Sequence, residues 1–281
     1  MYRLVGMSEL LKTAYMLSYP YLHRDQEVTA TTLKTGLRQH LKVVQPGVAR
    51  SSELVTEFMV ADASTRALLD ILELTEQPSC SSDPALVLRK VIASFAFIGQ
   101  SDGQLGELFR TVVDRVLVTT NVNVPGSASS PRAIGVLWIQ PTDEWEEQDF
   151  VEALIHELTH TLLYLDEQRY VHYIRAEALQ DKSTWVASAI RSEARPVNGV
   201  AHSILVATEI LCLRRDWQLG HNGIALHGDS NIILSKTVHA LDELQNQPDS
   251  WNLLSPRMQS LLHLAGATLT SLEQEGLSQR L

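Results

Sequence analysis

The five residues His156-Glu157-Leu158-Thr159-His160 carry the most specific chemical signal in the chain. When an H-E-x-x-H pattern lies on a helix, residues i and i+4 stand one turn apart on the same face, so both imidazoles reach one metal ion. Neutral imidazole suits zinc and divalent iron alike. The helix itself is predicted by Phe150, Leu154, Leu158 and Leu162, an apolar ridge beside the histidines that no proline or glycine interrupts. Three fixed letters also recur by chance in helices that bind nothing, so the pentapeptide takes its meaning from context.

Two histidines leave a catalytic metal short of ligands, because such sites use three protein groups and keep positions open for water or substrate. Glu177, Glu193 and Glu209 all meet the spacing of a thermolysin-like glutamate on a later element, whereas Leu163 and Asp166 stand where the metzincin pattern requires glycine and histidine. His202 is the stronger candidate. It closes the segment Arg195-Pro196-Val197-Asn198-Gly199-Val200-Ala201-His202, which brings an arginine and a histidine to the start of a predicted helix whose other inward positions are aliphatic. Taken alone, His202 would read as a core histidine bonded to a backbone carbonyl, and Arg195 as a surface ion pair or helix cap. A guanidinium beside a metal is also suited to hold a carboxylate through two parallel bonds, with Arg191 the next arginine in line.

The elements that must position these residues follow from periodicity and turn chemistry. Apolar residues at helical spacing predict helices over Ser8–Ser18, Thr31–Val44 and Ser52–Leu74, and Asp83-Pro84 is placed to cap and start another after the polar stretch from Gln77. A further helix is expected from about Gly103 to Val118, then a polar loop over Val124–Pro131, then a β-prone strand over Ile134–Ile139. Pro141-Thr142-Asp143 stops the strand and offers an N-cap to a helix over Glu144–Leu165, rich in early acids that suit its dipole. Arg169–Ile174 reads as a short strand, Trp185–Glu193 fits neither pattern, and Pro196–Trp217, Ile232–Leu244 and Met258–Leu277 read as helices. The expected fold class is mainly α, a multi-helix domain with a short strand element next to the metal helix. Residues 1–100 are expected to form an N-terminal helical lobe and residues 101–281 the metal-binding catalytic portion, the two packed as one domain.

Composition narrows the function classes. With 281 residues, 44% of them hydrophobic and 20% charged, the chain has the material for a sizeable core. Its 23 Lys+Arg against 33 Asp+Glu give a net charge of -10, with no basic patch to override it, so no nucleic-acid partner is expected. Two cysteines, Cys80 and Cys212, are too few for a disulfide framework, and no secretory signal pattern opens the chain, which points to the cytoplasm. No uninterrupted apolar run reaches the roughly 18 residues of a membrane span, so no membrane is expected.

Together, the H-E-x-x-H helix, the Gly135-Val136-Leu137-Trp138-Ile139 strand before it and the Arg195–His202 segment after it resemble the H-E-x-x-H family of peptide β-hydroxylases, which modify ribosomally made peptides. The resemblance spans roughly residues 130–215, and the N-terminal hundred residues lie outside it. It implies an Fe(II)- and 2-oxoglutarate-dependent oxygenase acting on a precursor peptide with dioxygen, with His156, His160 and His202 holding the iron and Arg195 pairing with a carboxylate of 2-oxoglutarate. Three neutral imidazoles leave the ion its full charge, which the two carboxylates of the cosubstrate balance; the more common facial triad uses two histidines and a carboxylate.

Glu157 separates this expectation from its main rival. A zinc metallopeptidase with His156 and His160 as ligands needs Glu157 to take a proton from metal-bound water, whereas an oxygenase needs it only to orient a ligand or help position the peptide. A third reading, a peptide-binding scaffold whose metal only ties two helices together, calls for a closed four-ligand site, often with cysteine. Neither Cys80 nor Cys212 is placed in the sequence to supply one.

Overall fold

The structure is a computed structural model and describes residues 1–51, 53–71, 83–119, 126–187, 194–220 and 225–275. It is mainly helical, with one four-stranded sheet and a two-stranded ribbon among the described residues. The chain separates into two compact units, one of Met7–Arg169 and one of Met1–Gly6 with Tyr170–Leu281. The division therefore falls after Arg169 and not near residue 100. Pro84–Ser101 and Gly103–Val112 pack against each other, which keeps both sides of the expected boundary in one unit.

In the Met7–Arg169 unit, the part of α1 (Tyr2–Ser18, broken at Gly6) that follows Gly6 and then α2 (Ala30–Val44) come first. Gly6 adopts φ 78° and ψ 160°, a conformation that a side chain disfavours and that ends the first helical turn where the units divide. Strand β1 (Glu57–Val60), the short α3 (Arg66–Ile71), α4 (Pro84–Ser101) and α5 (Gly103–Val112) lead to β2 (Arg115–Val118), and β3 (Gly126–Ser129) and β4 (Val136–Gln140) complete the sheet. Its order is β1-β2-β4-β3, with β2 parallel to both neighbours and β3 antiparallel to β4. Crossing from β1 to a parallel β2 requires a long connection, and the α3–α4–α5 segment supplies it.

Three expectations are corrected here. Glu57–Val60 and Arg115–Val118 are strands and not parts of helices, and Gly126–Ser129 is a strand and not loop. Short apolar runs do not reveal by periodicity whether they are helix or strand, and here pairing with β4 and its neighbours decides. The sheet packs through Leu117, Val136 and Trp138 onto Val48, Leu68 and Leu69. Trp138 Nε1 donates to Thr119 Oγ1 at 2.7 Å, so the buried indole is satisfied. At the start of β2, Asp114 takes Arg38 Nε at 2.5 Å and Arg50 Nη1 at 3.2 Å, tying the strand to α2 and the loop after it.

Helix α6, which carries the two histidines, runs Glu147–Arg169, starting three residues later and ending four later than expected. Its expected ridge is fully realised, since Phe150, Leu154, Leu158 and Leu162 are each at most 3% exposed. Asp149 in the first turn accepts the Glu146 backbone N–H at 2.9 Å, and Arg169 in the last turn reaches Glu9 at 3.2 Å and Thr13 at 3.0 Å. Helix α6 packs against α4, α5 and β3.

The second unit is built on α7 (Val197–Trp217), α8 (Ser230–Asn246), α9 (Pro248–Trp251) and α10 (Pro256–Gln274). By length and composition α7 is apolar enough to cross a membrane, but most of it is buried inside the protein, as befits a core helix. Its buried Arg214 is satisfied by Gly228 O and Ser230 Oγ, both at 2.9 Å. Strands β5 (Val186–Ala187) and β6 (Ala194–Arg195) form the ribbon, and the strand expected over Arg169–Ile174 reduces to one bridge between Tyr173 and Leu254.

Candidate metal centre

Helical spacing on α6 brings His156 and His160 to one face, with ring centroids 4.9 Å apart and planes inclined at 57°. Burial and, after it, the neighbouring His156 hold His160 down to about 4 against the opposing charge of Glu157. His160 is therefore a neutral imidazole at any ordinary pH, with a nitrogen lone pair free of a proton, as a metal ligand must be. One turn further on, Tyr164 lies parallel to the His160 ring, with a 6.0 Å centroid separation and a 15° angle.

Glu157 points away from the role of an open base. It is 1% exposed, and both of its carboxylate oxygens are taken by the edge strand: Ser127 Oγ donates to Oε1 at 2.7 Å and Ser129 Oγ to Oε2 at 2.7 Å. The His156 Nε2 atom lies 3.8 Å from Oε1, beyond hydrogen-bond length. A period-two strand explains the pair of serines, because residues 127 and 129 project to one face while Ala128 packs on the core side. Burial, followed by the Glu157 charge, raises the Tyr164 pKa, so the phenol keeps its proton. Sequence reasoning missed Ser127, Ser129 and Tyr164. The alternation Ser-Ala-Ser and the i+4 step from His160 were the available signals.

The remaining candidates lie in the other unit or outside the described residues. His202 sits on α7 and is 7% exposed, and Arg195 is half-buried on β6 opposite Val186. Glu209 is committed elsewhere: its carboxylate pairs with the Met1 α-amino group and accepts the backbone N–H groups of Arg3 at 3.0 Å and Leu4 at 3.1 Å. Glu177 is exposed in a 3-10 turn, and Glu193, Arg191 and Cys80 lie outside the described residues. Cys212 is buried on α7, and burial pushes its thiol up to about 12. Among the described residues no group of three or more His, Cys, Asp or Glu side chains is arranged to hold a metal ion. Within its own unit, α6 thus offers two imidazoles on one face, fewer than the three protein ligands a catalytic metal generally takes.

No protein-family model matches the chain, and no curated protein matches it significantly.

Proposed function

We propose that this protein is an Fe(II)- and 2-oxoglutarate-dependent oxygenase that hydroxylates a side-chain β-carbon in a ribosomally made precursor peptide. The observation that carries this reading over a peptidase is the engagement of both Glu157 oxygens by Ser127 and Ser129. A hydrolytic zinc site needs that carboxylate within reach of a water proton, and here it is buried and bonded to the edge strand. An oxygenase makes no such demand.

In this reading His156 and His160 hold iron, His202 supplies the third imidazole and Arg195 the guanidinium for 2-oxoglutarate. The last two assignments rest on the resemblance of the Arg195–His202 segment and on the chemistry of the side chains. Iron with 2-oxoglutarate and dioxygen would supply the oxidising power for an unactivated C–H bond, which no amino-acid side chain provides. What the chain's own groups contribute is a neutral His160, an imidazole pair ordered on one helix face, and a Glu157 carboxylate held by two hydroxyls so that it stays oriented. The reading places the protein in a reducing cytoplasm, where divalent iron is kept available.

Anaerobic reconstitution with Fe(II) followed by 2-oxoglutarate tests the reading directly. It expects a visible charge-transfer band and, with the precursor peptide and air, a gain of one oxygen atom in the peptide by mass spectrometry. Absence of the band, combined with peptide-bond cleavage by the zinc-loaded protein, would replace it with the metallopeptidase reading.

A further inference from the structure

We propose that the groove between α1 and α5 docks a short amphipathic helix of a partner protein. That helix carries an apolar stripe, acidic residues on the flank toward α1 and basic residues on the flank toward α5. Helix α1 is apolar on two faces. Leu10, Ala14 and Leu17 are buried, whereas Met7, Leu11 and Tyr15, at i, i+4 and i+8, line the groove and leave Leu11 37% exposed. A surface helix normally keeps one apolar stripe, so a second one marks a face suited to being covered. Buried Leu33 of α2 and Leu108 of α5 form the floor, and exposed Val28 adds to the lining. All of these residues belong to the Met7–Arg169 unit.

Size and charge identify the occupant. The groove has a volume of about 940 Å³, and two turns of helix, about 11 Å long and about 10 Å across, take up roughly 850 Å³. Along α1, Met7 to Tyr15 spans about 12 Å, the same two turns. Anchors at i, i+4 and i+7 of a docked helix therefore find apolar partners along the whole groove. Its walls carry opposite charge, with Lys12 on the α1 side and Asp102 and Glu107 on the α5 side. Lys12 lies 3.9 Å from Glu9, and Glu107 accepts from Arg110 Nη1 at 2.6 Å. Both are pairs at the surface of a single helix, which contribute little, so charges on a docked helix can compete for them. A purely acidic or purely basic partner would meet one wall of its own sign.

Fluorescence anisotropy of labelled synthetic peptides titrated with the protein tests this. Three helical peptides of about 15 residues share a leucine stripe and differ only in their flanks: one acidic and one basic, both acidic, or both basic. A fourth has the mixed-flank composition interrupted by proline. The mixed-flank peptide should bind about threefold to fivefold tighter than either single-sign peptide, and the proline peptide at least about tenfold more weakly than its helical parent. Leu11→Gln, at an exposed position where circular dichroism should show the fold intact, should weaken the mixed-flank peptide at least about tenfold. Lys12→Glu makes both walls acidic, so the peptide with two basic flanks should become the tightest. Failure of the mixed-flank peptide to bind, equal affinity of the three helical peptides, a proline peptide that binds as well as its parent, or unchanged affinity in folded Leu11→Gln would each overturn the proposal.

Discussion

Ser129 Oγ stands 2.7 Å from Glu157 Oε2, and the two residues come from elements 28 positions apart in the chain. That bond joins the sheet edge to α6, and with its Ser127 counterpart it satisfies a buried carboxylate. Ser127→Ala and Ser129→Ala should each lower stability by about 1–3 kcal/mol, the cost of leaving a buried acceptor bare, read from urea midpoints. Glu157→Gln should be milder, since a hydroxyl that rotates can accept from the amide that replaces one oxygen.

Glu157→Gln also separates the chemistries. A general base contributes roughly 10²–10⁴-fold, so a peptidase would lose about that much turnover. Under the oxygenase reading, iron-dependent succinate formation should fall by no more than about tenfold, the lower end of the effects seen when outer partners of ligands are changed.

His156→Ala, His160→Ala and His202→Ala should each abolish turnover and strongly weaken metal binding, while circular dichroism shows α6 and α7 still helical. Glu209→Ala should behave in the opposite way. Its carboxylate caps the first turn of α1 through the Arg3 and Leu4 backbone N–H groups, so its loss should cost about 1–3 kcal/mol of stability and leave metal affinity unchanged. Metal binding retained in His202→Ala and lost in Glu209→Ala would reverse the assignment of the third ligand.

Arg195→Lys should weaken 2-oxoglutarate binding and spare the iron. Charged hydrogen bonds contribute roughly 1.5–3 kcal/mol each, and lysine replaces a two-point contact with a single one, so the loss should reach at least about tenfold. Titration of 2-oxoglutarate into anaerobic Fe(II) protein reads it. Unchanged cosubstrate affinity with a lowered melting temperature would assign Arg195 to bracing the β5–β6 ribbon instead.

The pH dependence of the metal-free protein follows from His160. Its folded form takes up a proton only near 4, against 6.5 for an ordinary histidine, because burial and His156 oppose the charge. Between those values the unfolded chain binds a proton that the folded one does not, so stability is full above about pH 6.5 and falls as pH drops towards 4. His160→Gln should remove that component. Urea midpoints of the two proteins measured from pH 7 to 4 should therefore converge on acidification, and parallel curves would show that His160 protonates freely in the fold.

Several elements were legible in the sequence because their own residues determine them. The ridge of Phe150, Leu154, Leu158 and Leu162 predicts α6, Asp83-Pro84 predicts the start of α4, and the β-prone run ending at Ile139 predicts β4. The Asp83 side chain does accept from the Ala85 backbone N–H, at 2.9 Å, with Pro84 in the first turn. Each of these signals is local, so no distant partner is needed to read it.

By itself the sequence determined that two histidines share one helix face, since i and i+4 spacing leaves a helix no other arrangement. Tertiary structure alone decided what surrounds them. Three residues of alternation in Gly126-Ser127-Ala128-Ser129 are too short a signal to identify a strand, and the pairing with Leu137–Gln140 is what turns the two serines toward Glu157. Likewise, Glu209 has the spacing of a metal ligand in the chain, yet the fold places it against the first turn of α1. Helical periodicity carries information over a few residues, whereas the partners of a buried carboxylate are chosen by whichever distant donors the packing delivers.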